Sequence, residues 1–343
     1  MKPLKNNDIR RILVRSTNWI GDAVMTTPAL GALRAHFPNA TISVVANPLV
    51  AELFRHHPYC DEVLVFDKKG AHQGWRGMLR FCGQLRQGRF DLAILLQNAI
   101  EAGIMAALAG IPRRAGFRTD GRGFLLSHAV PISEADKKLH HTRYYLTMLE
   151  RLGISGGDGL LRLESTAEES AWAESTLGDG EWMAINPGAA YGSAKRWIPE
   201  RFAAVGDQLA REFGVKVLLT GGPGEREIGR DIARAMTCGP LNLIGETSVR
   251  QMMALLSRCR LMVTNDSGPM HVAAAFAVPI VAVFGPTDHT TTSPLAETCR
   301  IIRKHCDCAP CLLRECPLDH RCMTAISADD VLEGARSLLN KTR

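Results

Sequence analysis

RRILVRSTNWIGDAVMTTPALGALRAHFPNATISVVA, residues 10–46, is the stretch from which the fold can be read. ILVR at 12–15 and TISVVA at 41–46 are short runs rich in β-branched residues, and 23–36 between them is amphipathic at helical spacing. Strand, helix and strand at these lengths make a βαβ unit with parallel strands. The alternation continues through VLVF at 63–66 and DLAILL at 91–96. It lapses between about 153 and 180, where ISGGDG and the charged, helix-forming ESTAEESAWAEST intervene. It then resumes with WMAINPG at 182, KVLLTGG at 216, LNLIG at 241, LMVTND at 261 and PIVAVFG at 279. The expected architecture is α/β, with a doubly wound parallel sheet in each half. Residues 1–165 form the first domain, 166–327 the second, and 328–343 a last helix packed across their interface. The carboxyl ends of both sets of strands are expected around one central cleft, where open α/β sheets bind ligands.

The chain has 343 residues, 46% hydrophobic and 22% charged, which is enough for two cores of ordinary size and is the composition of a folded protein. A net charge of +6 favours an anionic substrate or surface without choosing one. No apolar stretch reaches the roughly 18 residues of a membrane span, since the longest, 272–285, is interrupted by Pro279. The amino-terminal MKPLKNNDIRR lacks the apolar core of a signal peptide, so a cytoplasmic location with at most peripheral membrane contact is expected. Nothing resembles an aromatic and basic nucleic-acid platform, and no nucleic-acid partner is expected.

Four strand-to-helix turns carry candidate chemistry. In RSTNWIGD, Asp22 stands where a carboxylate either caps the following helix or serves as a general base toward a hydroxyl. NPGAAYGSAKRW offers small residues for close backbone approach to a ligand, together with Ser193 and Lys195. There Lys195 reads as a diphosphate ligand or a solvated loop charge, and Trp197 as packing. TGGPGERE places Glu225 where it can hold ribose hydroxyls or simply favour a helix start, and it lacks the GKS or GKT of a triphosphate loop. In TNDSGPMH, Asp266 or Ser267 can cap a helix whose N–H groups, bared by Gly268, would receive an anion. His271, one turn on, reads as a phosphate donor or as core.

Taken in order, RSTNWIGDAVMTTPAL, NPGAAYGSAKRW, TGGPGERE and TNDSGPMHVAAAFAVPIVAVFGPTD resemble the heptosyltransferases of lipopolysaccharide inner-core synthesis. Within that family, the WIGD start and the PGAAYG loop are more similar to type II than to type I. The resemblance implies a GT-B fold and an inverting, metal-independent transfer of L-glycero-D-manno-heptose from ADP-heptose to the first heptose of a lipid A-linked acceptor. It implies that the first domain holds the acceptor and the second the donor, at the cytoplasmic face of the inner membrane. Asp22 matches the base and Lys195 the diphosphate lysine; Ser193, Glu225, Asp266, Ser267, Gly268 and His271 complete the donor side. Competing readings are a related heptosyltransferase acting on another core position or on a protein, and an inactive nucleotide-sugar binder. Ten cysteines, five of them between Cys306 and Cys322, allow a structural zinc at Cys308, Cys311, Cys316 and Cys322, or reduced thiols. Basic residues gather at Arg113, Arg114, Arg118 and Arg122 and again at Lys137, Lys138 and Arg143, some of them expected to face the acceptor.

Overall fold

The computed structural model describes Leu4 and residues 8–340. The chain divides into two compact units, Met1–Glu164 and Ser165–Arg343. The first runs β1 (Arg11–Arg15), α1 (Ile20–Met25), α2 (Thr27–His36), β2 (Thr41–Ala46), α3 (Pro48–Phe54), β3 (Glu62–Val65), α4 (Gly74–Gln87) and β4 (Leu92–Leu95). It continues with α5 (Ile100–Leu108), β5 (Arg113–Phe117), a 3-10 turn at Arg122–Leu125, β6 (His128–Val130), α6 (Glu134–Lys137) and α7 (His141–Arg151). The six strands found among the described residues are parallel throughout, in the order β3-β2-β1-β4-β5-β6. The order reverses between β1 and β4, so the loops after these two strands diverge and leave a crevice at their carboxyl ends.

The strands at 12–15, 41–46, 63–66 and 91–96 are present as β1 to β4, each within one residue of its expected bounds. β5 and β6 were not expected. RRAGF opens with two arginines, a poor strand sequence, yet Leu92 to Ile94 of β4 pair with Arg113 to Ala115. The Arg114 guanidinium is accommodated because it donates to the carbonyls of Leu125 and Ile111, each at 2.6 Å.

The second unit runs α8 (Ala167–Leu177), β7 (Trp182–Asn186), α9 (Pro199–Phe213), β8 (Lys216–Leu219), α10 (Arg226–Ala235), β9 (Leu241–Asn242) and α11 (Val249–Leu256). There follow β10 (Cys259–Asn265), α12 (Gly268–Ala275), β11 (Ile280–Val283), α13 (His289–Thr292), β12 (Cys299–Ile302), α14 (Arg321–Thr324) and α15 (Ala328–Leu339). Its sheet is again parallel, ordered β12-β11-β10-β7-β8-β9, with the reversal between β7 and β10. The last helix, expected to pack across the domain interface, has its apolar face accounted for within this unit. Val331, Leu332, Ala335, Leu338 and Leu339 of α15 share one core with Leu261 and Val263 of β10 and Val281 and Val283 of β11.

The segment expected as a connection between domains contributes α8 to the second unit. Thr166 and Glu169 cap each other across its first turn, and Glu169 also pairs with Arg250 of α11 at 2.5 Å. The guanidinium holds the Glu169 carboxyl below the usual glutamate range, so the stability that the pair supplies is present above that range and is lost as pH falls below it and through the lowered value. Glu169→Ala removes the cap and leaves the nearly buried Arg250 without its carboxylate. It is expected to destabilise the second unit by about 3 kcal/mol at neutral pH. Urea unfolding followed at Trp182, Trp197 and Trp172 measures this, and a change under about 0.5 kcal/mol, the scatter of surface substitutions, would leave α8 held by apolar contact alone.

Candidate functional site

In the second unit, two asparagines end the two strands that flank the reversal. The Asn186 amide donates to the Thr220 carbonyl at 2.7 Å and accepts from Ser267 Oγ at 3.0 Å. Asn265 Oδ1 accepts from the Trp197 backbone N–H at 3.0 Å, while its amide donates to the Pro187 carbonyl at 2.7 Å. Both side chains are buried, so each must satisfy its polar atoms internally, and in doing so each fixes a loop. Trp197 is core, as expected: its ring lies in the apolar cluster and its indole N–H donates to the Ile326 carbonyl at 3.0 Å.

The loop thus anchored to β10 carries Tyr191, an exposed Ser193 and Lys195. Lys195 Nζ lies 2.6 Å from Asp266 Oδ2, with the side chains only 13% and 5% exposed, and 5.1 Å over the Tyr191 ring. The same Asp266 oxygen accepts from Thr287 Oγ1 at 2.6 Å. Neither Asp266 nor Ser267 caps α12: Ser267 is the N-cap residue, but its hydroxyl turns to Asn186 and makes no capping bond. In the first turn of α12 Pro269 has no N–H and the Met270 N–H donates to the Ser267 carbonyl at 3.2 Å, so it is the Gly268 N–H that is left without a side-chain acceptor, and beside it stands an ammonium held in place by a carboxylate. That is an arrangement for receiving an anion. His271 is buried one turn further along α12.

Glu225 stands at the end of the turn Pro223–Glu225 that follows β8, with Oε2 accepting from the Gly222 N–H at 2.7 Å. A Cβ on Gly188 would fall 1.8 Å from Glu225 Oε1, so the carboxylate is seated directly against the loop after β7. Burial pushes its carboxyl above the usual glutamate range, while the Gly222 N–H and Arg196 oppose the shift.

The cysteine segment also belongs to this site. The Arg314 carbonyl accepts from the Ala194 N–H at 3.0 Å, Tyr191 Oη donates to the Leu312 carbonyl at 2.7 Å, and His320 Nε2 meets the Ala194 carbonyl at 2.7 Å. Residues 312–320 thus clasp the Lys195 loop from outside, a contact that no sequence motif announces. Among the described residues, no group of three or more His, Cys, Asp or Glu side chains is placed to hold a metal ion. Cys322 is buried beneath Gly285 with its thiol pushed up to about 11, whereas Cys308 is exposed. The close thiol pair is Cys306 and Cys308, at 3.3 Å.

In the first unit, Asp22 lies in the first turn of α1, whose N-cap residue, Trp19, makes no side-chain cap bond. The carboxylate does not cap the helix. Its Oδ1 lies 3.3 Å from Nδ1 of His141, the first residue of α7, and both side chains are about one-third exposed. His141 was not picked out from the sequence, where it is one of two adjacent histidines ahead of an amphipathic run. Around the same crevice, the buried Arg122 donates to the Phe117 carbonyl at 3.0 Å and to Asn98 Oδ1 at 3.2 Å, which tie it to the loop after β4. Arg122 is thus a structural member of the basic cluster. Burial draws its guanidinium down to about 10, which leaves it charged at neutral pH.

Residues 78–321 match the family described as Glycosyltransferase family 9 (heptosyltransferase). Lipopolysaccharide heptosyltransferase 2 of Escherichia coli K12 is 31% identical over 316 residues, which cover 85% of this chain and 88% of that one. The lipooligosaccharide heptosyltransferase 2 of Campylobacter jejuni serotype O:2 is 27% identical over 97% of this chain and 99% of its own. Among solved structures, a family 9 glycosyltransferase from Veillonella parvula superposes with a TM-score of 0.87 at 27% identity, covering 99% of this chain and 100% of that one. E. coli ADP-heptose heptosyltransferase II superposes with a TM-score of 0.80 at 27% identity, covering 97% and 99%.

A Cβ on Gly192 would meet the Arg314 carbonyl oxygen at 2.2 Å, a backbone atom that cannot swing aside. Gly192→Ala is therefore expected to pry the Lys195 loop from the cysteine segment at a cost of about 1 to 3 kcal/mol, and to speed proteolysis within 306–322. Gly83→Ala in α4, where a Cβ meets nothing within 4 Å, serves as the control. Equal protease resistance in the two variants would refute the clasp.

Proposed function

The chain belongs to glycosyltransferase family 9, the heptosyltransferases, with the two Rossmann-like domains of the GT-B fold. From that membership we propose that it transfers L-glycero-D-manno-heptose from ADP-heptose to the first heptose of the lipopolysaccharide inner core. The observation that carries the donor side is the Lys195–Asp266 pair beside the uncapped start of α12. An ammonium has three donors. With one on Asp266, Lys195 keeps others for the diphosphate, and Asp266 and Tyr191 hold it in place while it does so. In this reading Ser193 lies on the Lys195 loop, Gly268 and His271 belong to the first turn of α12, and Glu225, which already serves Gly222, has Oε1 for a ribose hydroxyl.

On the acceptor side, Asp22 takes the proton of the attacking hydroxyl. Its orientation comes from His141, whose Nδ1–H donates to the carboxylate in the appropriate tautomer. The hydroxyl oxygen bonds to the anomeric carbon as the bond from that carbon to ADP breaks. Attack from the face opposite the departing group inverts the configuration. The charge that develops on ADP falls to Lys195 and the Gly268 amide at the start of α12, so the reading needs no metal ion. Because the acceptor is linked to lipid A, the enzyme works peripherally at the cytoplasmic face of the inner membrane. Among the described residues no helix is long and apolar enough to cross a membrane.

Two substitutions separate the roles. Asp22→Asn keeps the size and removes the basicity. Turnover with ADP-heptose and a core acceptor ending in one heptose, read by mass spectrometry, should fall by a factor of about 10² to 10⁴ with ADP affinity unchanged. Turnover above about a tenth of wild type would return Asp22 to a structural role. Lys195→Ala should weaken ADP binding by about 1 to 3 kcal/mol in calorimetry. Since it also strands a buried carboxylate, Lys195→Ala with Asp266→Asn is the folded comparison. Wild-type ADP affinity in that double variant would remove Lys195 from the donor site. Acceptors with other core termini, offered beside the first, test the acceptor assignment.

A further inference from the structure

The first unit exposes an apolar surface that its own core does not require. Helices α4 and α5 lie side by side on one face of the sheet. The inner residues Phe81, Cys82 and Leu85 of α4 and Ala102, Met105 and Ala106 of α5 share one core cluster with Leu13, Ala93 and Leu95 of the strands. Their outer faces carry large apolar side chains nonetheless. Ile100, Ile104 and Leu108 are all exposed at spacings of four, so they form one stripe along α5. Trp75, 69% exposed, and Leu79 repeat that spacing on α4. The turn Arg122–Leu125 packs against α5, with Leu125 near Gly103, and presents Phe124 at 79% exposure. Scattered apolar residues are ordinary on a surface; a contiguous set on two adjoining helices and their neighbouring turn marks an interaction site.

Charge identifies the partner. Residues 68–125 hold ten lysines and arginines against three acidic residues, a net of +7, whereas the whole chain carries +6. The excess positive charge of the protein is therefore concentrated in this segment. α4 has Arg76 and Arg80 exposed beside Trp75 and Leu79 and contains no acidic residue. The one acid of α5, Glu101, is paired with Lys68. An exposed tryptophan, a phenylalanine and an aliphatic stripe among unpaired arginines form the amphipathic surface that lies in the headgroup layer of an anionic bilayer.

We propose that the outer face of α4, α5 and the turn Arg122–Leu125 docks the enzyme onto an anionic lipid bilayer. The proposal rests on the reading that the acceptor is lipid-linked. Docking through the acceptor unit would bring that unit to the surface from which the acceptor projects.

The test uses the full chain and sedimentation with phosphatidylcholine vesicles, with and without phosphatidylglycerol. Wild type should bind only the anionic vesicles, more weakly as salt is raised. Arg76→Gln with Arg80→Gln should lower the affinity about 30-fold, and Trp75→Ser with Phe124→Ser should lower it at least as much. Both pairs should transfer heptose to a delipidated, water-soluble core acceptor at the wild-type rate. That second readout reports on the proposed reaction independently of the bilayer. Failure of wild type to transfer to the soluble acceptor would count against the reaction, whatever the vesicles show. Absence of vesicle binding, binding indifferent to anionic lipid, or unchanged binding by both variants would overturn the docking surface. So would a wild-type dimer that becomes monomeric in Trp75→Ser with Phe124→Ser without change in vesicle binding, since the face would then join two copies of the chain.

Discussion

Asn265 satisfies a backbone N–H and a backbone carbonyl of another loop from a single buried side chain, and the site around Lys195 is organised around that constraint. β10 and β7 are neighbours at the reversal of strand order, so the loops leaving them part company and have no strand pairing to hold them together. A buried amide at the end of β10 closes the gap by binding the loop after β7 at both of its ends, near Pro187 and at Trp197. Asn186 does the same from the other strand, toward Thr220 and Ser267. Because the amides are buried, an unmade bond would cost the full desolvation of the group, and the loops have little freedom to drift. Only with the loop so held does Lys195 come to 2.6 Å from Asp266 with an uncapped helix start beside the pair.

The first unit is organised differently around Asp22. Asp22 rests on a helix-start geometry that leaves its carboxylate free of capping and on one imidazole contributed by α7, more than a hundred residues away in sequence. Partial exposure of both groups suits the proton-acceptor role proposed for Asp22. The rigidity around it comes from buried arginines. Arg122 ties its own turn to the loop after β4, and Arg15 bonds to the carbonyls of Ser16 and Val45 behind the loop that carries Asp22. Both guanidiniums are lowered to about 10 by burial and remain cations that bind carbonyl dipoles.

The cysteine-rich segment contributes more than its thiols. Its thiols divide between core and solvent: Cys306 and Cys322 are buried and Cys308 is exposed. What the segment does supply is backbone. Carbonyls at Leu312 and Arg314 and the imidazole of His320 hold the outer side of the Lys195 loop, opposite to the Asn265 anchor. The loop is thereby fixed from two sides.

The sequence alone determined the two halves and the strands β1 to β4 and β7 to β11, because buried parallel strands need unbroken apolar runs and such runs are visible without a partner. It also located the turns that carry Asp22, Lys195, Glu225 and Asp266, since each follows a strand end directly. Tertiary structure alone decided β5, β6 and β12, whose arginine-containing or short sequences form strands only beside a neighbour that supplies the hydrogen bonds. It decided as well that Asp22 turns to His141 instead of capping, that Asp266 turns to Lys195, that α15 completes the second core, and that two asparagines bind the loops. Each of these depends on where a polar group finds its nearest satisfied partner once water is excluded. That partner lies dozens of residues away, and no local pattern encodes it.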